Sequence, residues 1–437
     1  MTERDLQFYG AETSEPVAED TLTHFRHGDF ATAAWPERYA PPLSKQPERV
    51  VVICENKLIS LDMILPVMFE LKGECPGIEI DFMFLRRDHM AKVRENYILW
   101  AGMEAVGRIR FLSFGGAKPS SLLERVRNLG RLACEVMTAR KRPTLLFYRK
   151  DFSRWPVGLL AMAVKAGGGA LIGFPGIAYP MSSVLLRSLV AQERSTIHHR
   201  FQADRHLLFH PLQRGEQRRV TNAPMAVIGT SRWFPRWQAF MDGILSQRGI
   251  MDIDGKPIDV AAKPNILLFY PGNLNLPDLD GPTACRDQMV RTLAAISRAA
   301  PQARVLIKPH VICDIGELKR ELAAFPNLDV HLSFAHPLAL ARHAIVCSVP
   351  NGTSVIDDMY LAGLPLIDSA IYLPEIRERE GTMFPNRGRL RCTTDAELED
   401  AFRQALEQPD SLPQPERGHL YWPKSGPIAP LLWKHAK

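Results

Sequence analysis

The chain alternates short runs of β-branched and other apolar residues with longer stretches in which apolar residues recur at helical spacing. The first run is RVVVICE at 49–55, and a helical pattern follows it from Ile59 to Leu71. Similar runs recur at 78–85, 108–113, 143–149 and 169–174. Short buried strands that alternate with helices are typical of βαβ units, which form parallel sheets. The first half is therefore predicted to form a parallel α/β sheet.

The same alternation starts again after a turn-rich stretch at 246–264. Further strands are predicted at 265–271, 303–310, 328–333, 345–348 and 364–368. A chain of 437 residues has room for two domains of ordinary size. We expect an α/β protein with two Rossmann-like doubly wound domains. The predicted division is an arm at 1–47, a first domain at 48–245, a linker at 246–264 and a second domain with a tail at 265–437.

Composition excludes several classes of protein. Apolar residues make up 46% and charged residues 23%, which excludes a wholly disordered chain. The seven cysteines include no CxxC pair, so neither a disulfide framework nor a structural zinc site is expected. The acidic amino-terminal segment lacks the apolar stretch of a signal peptide. These features favour a cytoplasmic location.

Polar residues follow the predicted strands of the second half at the points where those strands end. Lys308 and His310 end one strand, and Ser348 ends another. In an open parallel sheet, ligands bind beyond the carboxyl ends of the strands, where the strand order reverses. The three side chains are therefore predicted to lie at a ligand site.

A glycine turn with two hydroxyl residues precedes the next predicted helix, and its members are Asn351, Gly352, Thr353 and Ser354. Free N–H groups and the dipole at a helix start favour an anion. Taken alone, Thr353 is better explained as a simple N-cap, since Ser and Thr are preferred there. The two roles are compatible, and the nearby Lys-Pro-His segment favours a phosphate-binding site.

Asp358 lies about one turn into the same predicted helix. A carboxylate there can accept hydrogen bonds from both hydroxyls of a ribose. The alternative is that an acid in the first turn only complements the helix dipole. With a phosphate site one turn earlier, ribose binding is the better interpretation.

These motifs resemble the donor domain of GT-B glycosyltransferases. The resemblance covers about residues 265–370, and it is carried by Lys308-Pro309-His310 and by GTSVIDDMYLAGLPLID, in which Asp358 precedes Gly363 by five residues. The basic-Pro-His segment is similar to that of capsule polysaccharide transferases, bacterial sialyltransferases and glycerophosphate transferases. In those families the His and the Ser/Thr turn hold the donor phosphate. The resemblance implies two domains facing each other across a cleft, with the nucleotide sugar on the second.

The sequence departs from that pattern in two places. In the bacterial families Pro often follows the His directly, but here Val311 follows His310 and the His-Pro pair is His336-Pro337. No DxD triad lies near the glycine turn, because the one at 278–280 falls in a Pro/Gly loop. We therefore expect neither a metal-bound donor nor a cofactor.

The first domain is expected to bind the acceptor and to supply a general base. Glu55 and Asp88 both follow predicted strands. Asp88 directly precedes a helical run and is better explained as a cap. Glu55 is the candidate catalytic base, and the alternative is an ordinary surface charge.

Positive charge is concentrated in the first half. Residues 108–154 contain 12 Lys or Arg and three acidic residues, although the whole chain has a net charge of only +6. A basic amphipathic helix in this stretch suggests a phospholipid surface, a lipid-linked acceptor or an acidic glycan, and a solvated helix face is the equal alternative. No nucleic-acid-binding module is recognisable, so nucleic acid is not an expected partner.

The leading functional hypothesis is a metal-independent glycosyltransferase of capsule or lipopolysaccharide biosynthesis, in the cytoplasm at the inner face of the membrane. Its partners would be a nucleotide-sugar donor and a glycan or lipid-linked acceptor. A nucleotide-sugar 2-epimerase and a non-catalytic protein that binds a glycan or a partner enzyme are the alternatives. The first half shows no cluster of carboxylates and His, which an epimerase would need around the sugar.

Overall fold

The computed structural model of this chain describes residues 42–43, 45–55, 58–112, 122–175, 202–209, 221, 223–270, 272, 284–310, 313–349, 355–369, 389–415 and 427–435.

Seven parallel strands form the amino-terminal sheet. In spatial order they are Arg108–Phe111, Glu79–Phe84, Arg49–Cys54, Thr144–Tyr148, Ala170–Gly173, Arg205–Leu208 and Met225–Val227. Every neighbouring pair is parallel. Along the chain, the next two strands are added on one side of Arg49–Cys54, and the following four are added on its other side. This is the strand order of the Rossmann fold with one strand added.

Six parallel strands form the carboxyl-terminal sheet, and they follow the same order along the chain as the first six strands of the amino-terminal sheet. They are Asp329–Leu332, Arg304–Pro309, Asn265–Tyr270, Val346–Val349, Leu366–Asp368 and Arg389–Arg391. Each neighbouring pair is again parallel. The predicted fold class, an α/β protein with two Rossmann-like doubly wound sheets, is confirmed. The strand Arg389–Arg391 was not predicted, because the sequence RLR alternates without a buried run.

Most of the described helices connect consecutive strands of one sheet. In the first half they are Leu58–Glu74, Arg87–Glu95, Tyr97–Val106, Leu122–Lys141, Val157–Ala166 and Pro235–Arg248. In the second half they are Ala284–Ala299, Ile315–Leu322, Pro337–Ala341, Ile356–Ala362, Asp395–Glu407 and Ala429–Leu432.

One predicted helix is in fact two. Periodicity predicts a single helix over 89–100, but the chain leaves helical geometry at Asn96, whose side chain accepts a hydrogen bond from the Leu99 N–H at 3.2 Å. An Asn in this position caps a new helix start. The helix predicted over 181–201 lies outside the described residues.

The two halves share a hydrophobic core. One buried apolar cluster includes Leu61 and Ile64 from the first half together with Leu338 and Tyr360 from the second. The predicted linker contains a short antiparallel pair of strands, Ile250–Met251 and Pro257–Ile258. The predicted domain limits stay a prediction.

The carboxyl-terminal segment returns to the amino-terminal half. Its last strand, Lys434–His435, pairs in parallel with Pro42–Leu43. The Glu74 carboxylate accepts hydrogen bonds from the Ile428 and Ala429 N–H groups at 2.6 and 2.7 Å. The tail therefore contacts residues far away in sequence. None of the helices in the described part of the chain is long and apolar enough to cross a membrane.

Candidate functional site

Lys308 lies near the carboxyl end of the strand Arg304–Pro309, as the sequence predicted. Its ammonium group donates a hydrogen bond to the Phe334 carbonyl at 3.3 Å. Desolvation lowers the pKa of Lys308 to about 8, although the carboxylates of Asp62 and Asp358 act in the opposite direction. The site therefore holds a cation that can lose its proton at mildly alkaline pH.

His310 follows that strand, and its backbone N–H donates to the Tyr270 carbonyl at 2.8 Å. This bond joins it to the neighbouring strand at the edge where the strand order reverses. The surrounding protein and the nearby Lys308 ammonium lower the pKa of His310, although the residue keeps an exposed surface. A neutral imidazole near a lysine is thus available at neutral pH to donate a hydrogen bond to an anion.

Ser348 lies in the strand Val346–Val349 and is fully buried. Its hydroxyl lies 3.5 Å from the Ser369 hydroxyl, which belongs to the segment after the adjacent strand. Ser348 thus packs between strands, and its contact with a ligand stays a prediction. The predicted phosphate turn, comprising Asn351, Gly352, Thr353 and Ser354, lies outside the described residues.

Asp358 lies in the helix Ile356–Ala362 and is completely buried. Its Oδ2 accepts from Nη1 of Arg232, a residue of the first half, at 2.5 Å. Its Oδ1 has no hydrogen-bond partner among the described residues. Burial, which the ion pair with Arg232 only partly offsets, raises the pKa of Asp358 to about 6.

Asp62 and His336 form a second contact between the two halves. Asp62 lies in the helix Leu58–Glu74, and His336 is the N-cap of the helix Pro337–Ala341. His336 Nδ1 accepts from the Leu338 N–H at 3.2 Å, so its proton lies on Nε2, which donates to Asp62 Oδ1. The pKa of Asp62 is lowered, because His336, Arg232 and Lys308 together outweigh its desolvation.

We call Asp62, Arg232, Lys308, His336 and Asp358 the cleft cluster. The two carboxylates of this cluster are balanced by one guanidinium and one ammonium group. Asp62 and His336 follow strand ends of different sheets, so the carboxyl edges of the two sheets meet at this cluster. Sequence reasoning missed Asp62 and Arg232, because neither stands in a recognisable motif. It did note the His336-Pro337 pair, which was a usable signal.

Glu55 follows the strand Arg49–Cys54, at the position where the strand order of the amino-terminal sheet reverses. It forms ion pairs with Arg149 and with Lys150, the latter at 2.8 Å, and the Tyr148 hydroxyl lies 3.4 Å away. The two cations lower the pKa of Glu55 despite its partial burial. A carboxylate held in this way is a weak base. Its predicted catalytic role is not supported by this arrangement and stays a prediction.

No protein-family model matches the chain, and no curated protein matches its sequence. Solved structures with a similar fold include the glycosyltransferase of kitacinnamycin, at 14% identity, 84% coverage of this chain, 92% of that chain and a TM-score of 0.41. A "putative UDP-N-acetylglucosamine 2-epimerase" from Listeria monocytogenes shares 12% identity, with coverages of 88% and 94% and a TM-score of 0.49.

A third structure is that of a Phytolacca americana protein complexed with UDP-2-fluoro-glucose and pterostilbene. It shares 10% identity with this chain, with coverages of 82% and 90% and a TM-score of 0.43. At these identities and scores none of the three assigns a substrate or a reaction to this chain.

Proposed function

We propose that this protein transfers a sugar from a nucleotide-sugar donor to a glycan or lipid-linked acceptor in the assembly of a bacterial capsule or lipopolysaccharide. The observation that supports this proposal is the meeting of two doubly wound sheets, carboxyl edge to carboxyl edge, at the cleft cluster. Ligands of such sheets bind at this edge. The reaction would take place in the cytoplasm, without a bound metal ion.

On the donor side, Lys308 and His310 would bind the phosphates, together with the predicted turn at 351–354. Lys308 supplies the positive charge, and a charge-assisted hydrogen bond is about twice as strong as a neutral one. Asp358 was predicted to bind ribose. Its complete burial and its Arg232 partner favour a role in holding the two halves together, so ribose binding would require this ion pair to open.

On the acceptor side, Arg149 and Lys150 make the crevice beside Glu55 positively charged overall. A phosphate or carboxylate on the acceptor would bind these cations in place of Glu55. The pKa of Glu55 would then rise toward that of an ordinary carboxylate, which makes it a better base. Glu55 would thus become catalytically competent only when an anionic acceptor is present.

A nucleotide-sugar 2-epimerase is the second candidate, and the cleft cluster is the observation that favours it. The first half alone shows no cluster of carboxylates and His, but Asp62 of the first half lies together with His336 and Asp358 of the second half. Such a set would be able to remove and return a proton on a bound sugar once the buried contacts of Asp358 with Arg232 and of His336 with Asp62 had opened. A non-catalytic protein that binds a glycan is the third candidate.

An activity screen separates the three candidates. The protein is incubated with UDP-, CMP-, CDP- and GDP-linked sugars, with and without anionic glycan acceptors, and the products are separated by mass and by chromatography. A transferase consumes donor in proportion to acceptor, whereas an epimerase yields a sugar isomer with no acceptor present.

Binding of the nucleotides is measured alongside by thermal shift. Ligand at one hundred times its dissociation constant stabilises the folded state by about 2.7 kcal/mol. A protein that no nucleotide stabilises would contradict both enzymatic proposals.

A further inference from the structure

The helix Leu122–Lys141 buries polar side chains against the rest of the protein. The residues that it buries are Asn128, Leu132, Glu135 and Ala139. Glu135 is held there by the guanidinium groups of Arg49 and Arg110. Polar side chains therefore occupy much of the inward face.

The outward face of the same helix is apolar. Leu122, Leu123, Val126, Leu129 and Met137 are each between 50% and 79% exposed. At 100° per residue these five side chains fall within one third of the helix circumference, opposite the buried residues. A helix in an ordinary globular protein places such a stripe against the core.

The neighbouring helix Val157–Ala166 extends this apolar surface. It packs directly against Leu122–Lys141, and both helices cover the same side of the amino-terminal sheet. Its outward residues Leu159 and Met162, with Trp155 just before it, are between 37% and 60% exposed. We call these eight side chains the apolar face. Isolated exposed apolar residues are common, but eight of them on and beside two helices that pack together favour an interaction site.

Basic side chains border the apolar face. Exposed Arg and Lys residues of the first helix are Arg125, Arg127, Arg131, Arg140 and Lys141. The two acids of that helix are engaged elsewhere, Glu124 with Arg87 at 3.0 Å and Glu135 with Arg49 and Arg110. The border is therefore positively charged. A helix with an apolar stripe, Trp nearby and flanking Lys and Arg is typical of proteins that lie at a membrane interface.

We propose that the apolar face binds the surface of a membrane that contains anionic lipids. The positive border is complementary to the lipid phosphates, and the leucines and Trp155 would enter the boundary between headgroups and acyl chains. In βαβ units the connecting helix starts at the carboxyl edge of the sheet, where Glu55 and Arg149 also lie. The proposal is independent of the donor site, yet it would place the acceptor crevice at the membrane.

The test is co-sedimentation of the full chain with vesicles at low and moderate salt. Vesicles of phosphatidylcholine alone are compared with vesicles of phosphatidylcholine and phosphatidylglycerol in equal parts. The wild-type protein is expected to bind the anionic vesicles and to be released as salt increases. Each basic residue near an anionic surface contributes about fivefold in affinity, so Arg127→Gln with Arg131→Gln should weaken binding by about twenty-five-fold.

The role of the apolar face is tested by Leu123→Glu with Val126→Glu, which removes two apolar side chains, adds two negative charges and should reduce binding at least about tenfold. Val290→Glu is the matched control, because Val290 is an exposed apolar residue on a helix of the other half. Circular dichroism and nucleotide-induced thermal shifts check that each variant is folded.

Three results would overturn the proposal. The first is a wild-type protein that does not bind anionic vesicles. The second is a Leu123→Glu/Val126→Glu variant that binds them as well as the Val290→Glu control. The third is a concentration-dependent dimer, seen by analytical ultracentrifugation, that Leu123→Glu/Val126→Glu converts to monomer while vesicle binding is unchanged. That outcome would assign the apolar face to a second copy of the chain.

Discussion

Arg232 and Asp358 form a buried ion pair between the two halves of the protein, with side chains that are 3% and 0% exposed. The two residues are 126 positions apart in the chain. Arg232 also lies 3.5 Å from Asp62, which itself binds His336. The relative placement of the two carboxyl edges thus depends on a few charged side chains that are shielded from water.

Arg232→Met should destabilise the protein by about 3–5 kcal/mol, because it leaves the Asp358 carboxylate buried without its partner. Arg236→Met is the control, since Arg236 is 54% exposed and its ion pair with Glu70 should contribute about 0–1 kcal/mol. Urea unfolding monitored by fluorescence measures both. Equal losses in the two variants would show that the buried pair has no special role.

The stability of the protein should depend on the protonation of Asp358. Its folded-state pKa of about 6 is above its ordinary value of 3.8, so the native state binds this proton more tightly than the unfolded chain does. The stabilisation of the folded state by this proton is fully present below the ordinary pKa of 3.8 and is lost as pH rises through about 6.

For a fully buried group this change amounts to roughly 2 kcal/mol between pH 4 and pH 7. Asp358→Asn removes the titrating group and should flatten that part of the curve. The free energy of unfolding is measured across this range for both proteins, and identical slopes would contradict the assignment to Asp358.

Glu74→Ala should release the carboxyl-terminal tail from the amino-terminal half. The variant loses two hydrogen bonds that the carboxylate accepts from the Ile428 and Ala429 N–H groups, each of the kind that contributes about 1.5–3 kcal/mol. Limited trypsin digestion followed by mass spectrometry should show faster cleavage in the tail. Glu104→Ala, which removes an exposed acid from another helix, serves as the control. If trypsin cleaved the tail of Glu74→Ala no faster than that of Glu104→Ala, the role of Glu74 in holding the tail would be refuted.

Most of the fold could be predicted from the sequence. The strands Arg49–Cys54 and Asn265–Tyr270 are runs of β-branched and aliphatic residues, and such runs are confined to buried strands when helical patterns flank them. The repeated βαβ pattern predicted two doubly wound parallel sheets but did not specify the order of the strands within each sheet. The break at Asn96 was missed, since apolar spacing continues across it while a single side-chain hydrogen bond ends one helix and starts the next.

The cleft cluster could be predicted only in part. Lys308 and Asp358 follow strand ends or helix starts, where sequence position suggests function. Asp62 sits inside an apolar helix, and its partner His336 is 274 residues away, so local periodicity contains no information about their contact. The orientation of Leu122–Lys141 was unpredictable for the same reason. Its direction depends on Arg49, 86 residues from Glu135 in the chain.

Nucleotide affinity should fall as pH rises from 7 to 9, because Lys308, whose pKa is about 8, loses its charge in this range. At pH 9 about nine tenths of the unliganded protein would carry a neutral amine, so affinity should drop by up to about tenfold. Lys308→Arg keeps its charge throughout and should remove this dependence. Calorimetric titration at the two pH values measures it. Parallel pH profiles in the two proteins would exclude Lys308 from the phosphate site.

The central claim, that the carboxyl edge of the second sheet binds the phosphates of a nucleotide, is tested most directly by titrating His310→Ala. Calorimetry compares this variant, the wild type and the exposed control Arg236→Ala with the preferred nucleoside diphosphate and with the bare nucleoside. His310→Ala should bind the diphosphate at least about tenfold more weakly, since a hydrogen bond to a charged group contributes about 1.5–3 kcal/mol, and should bind the nucleoside unchanged. A His310→Ala protein that is folded and binds the diphosphate as tightly as the wild type would contradict the account.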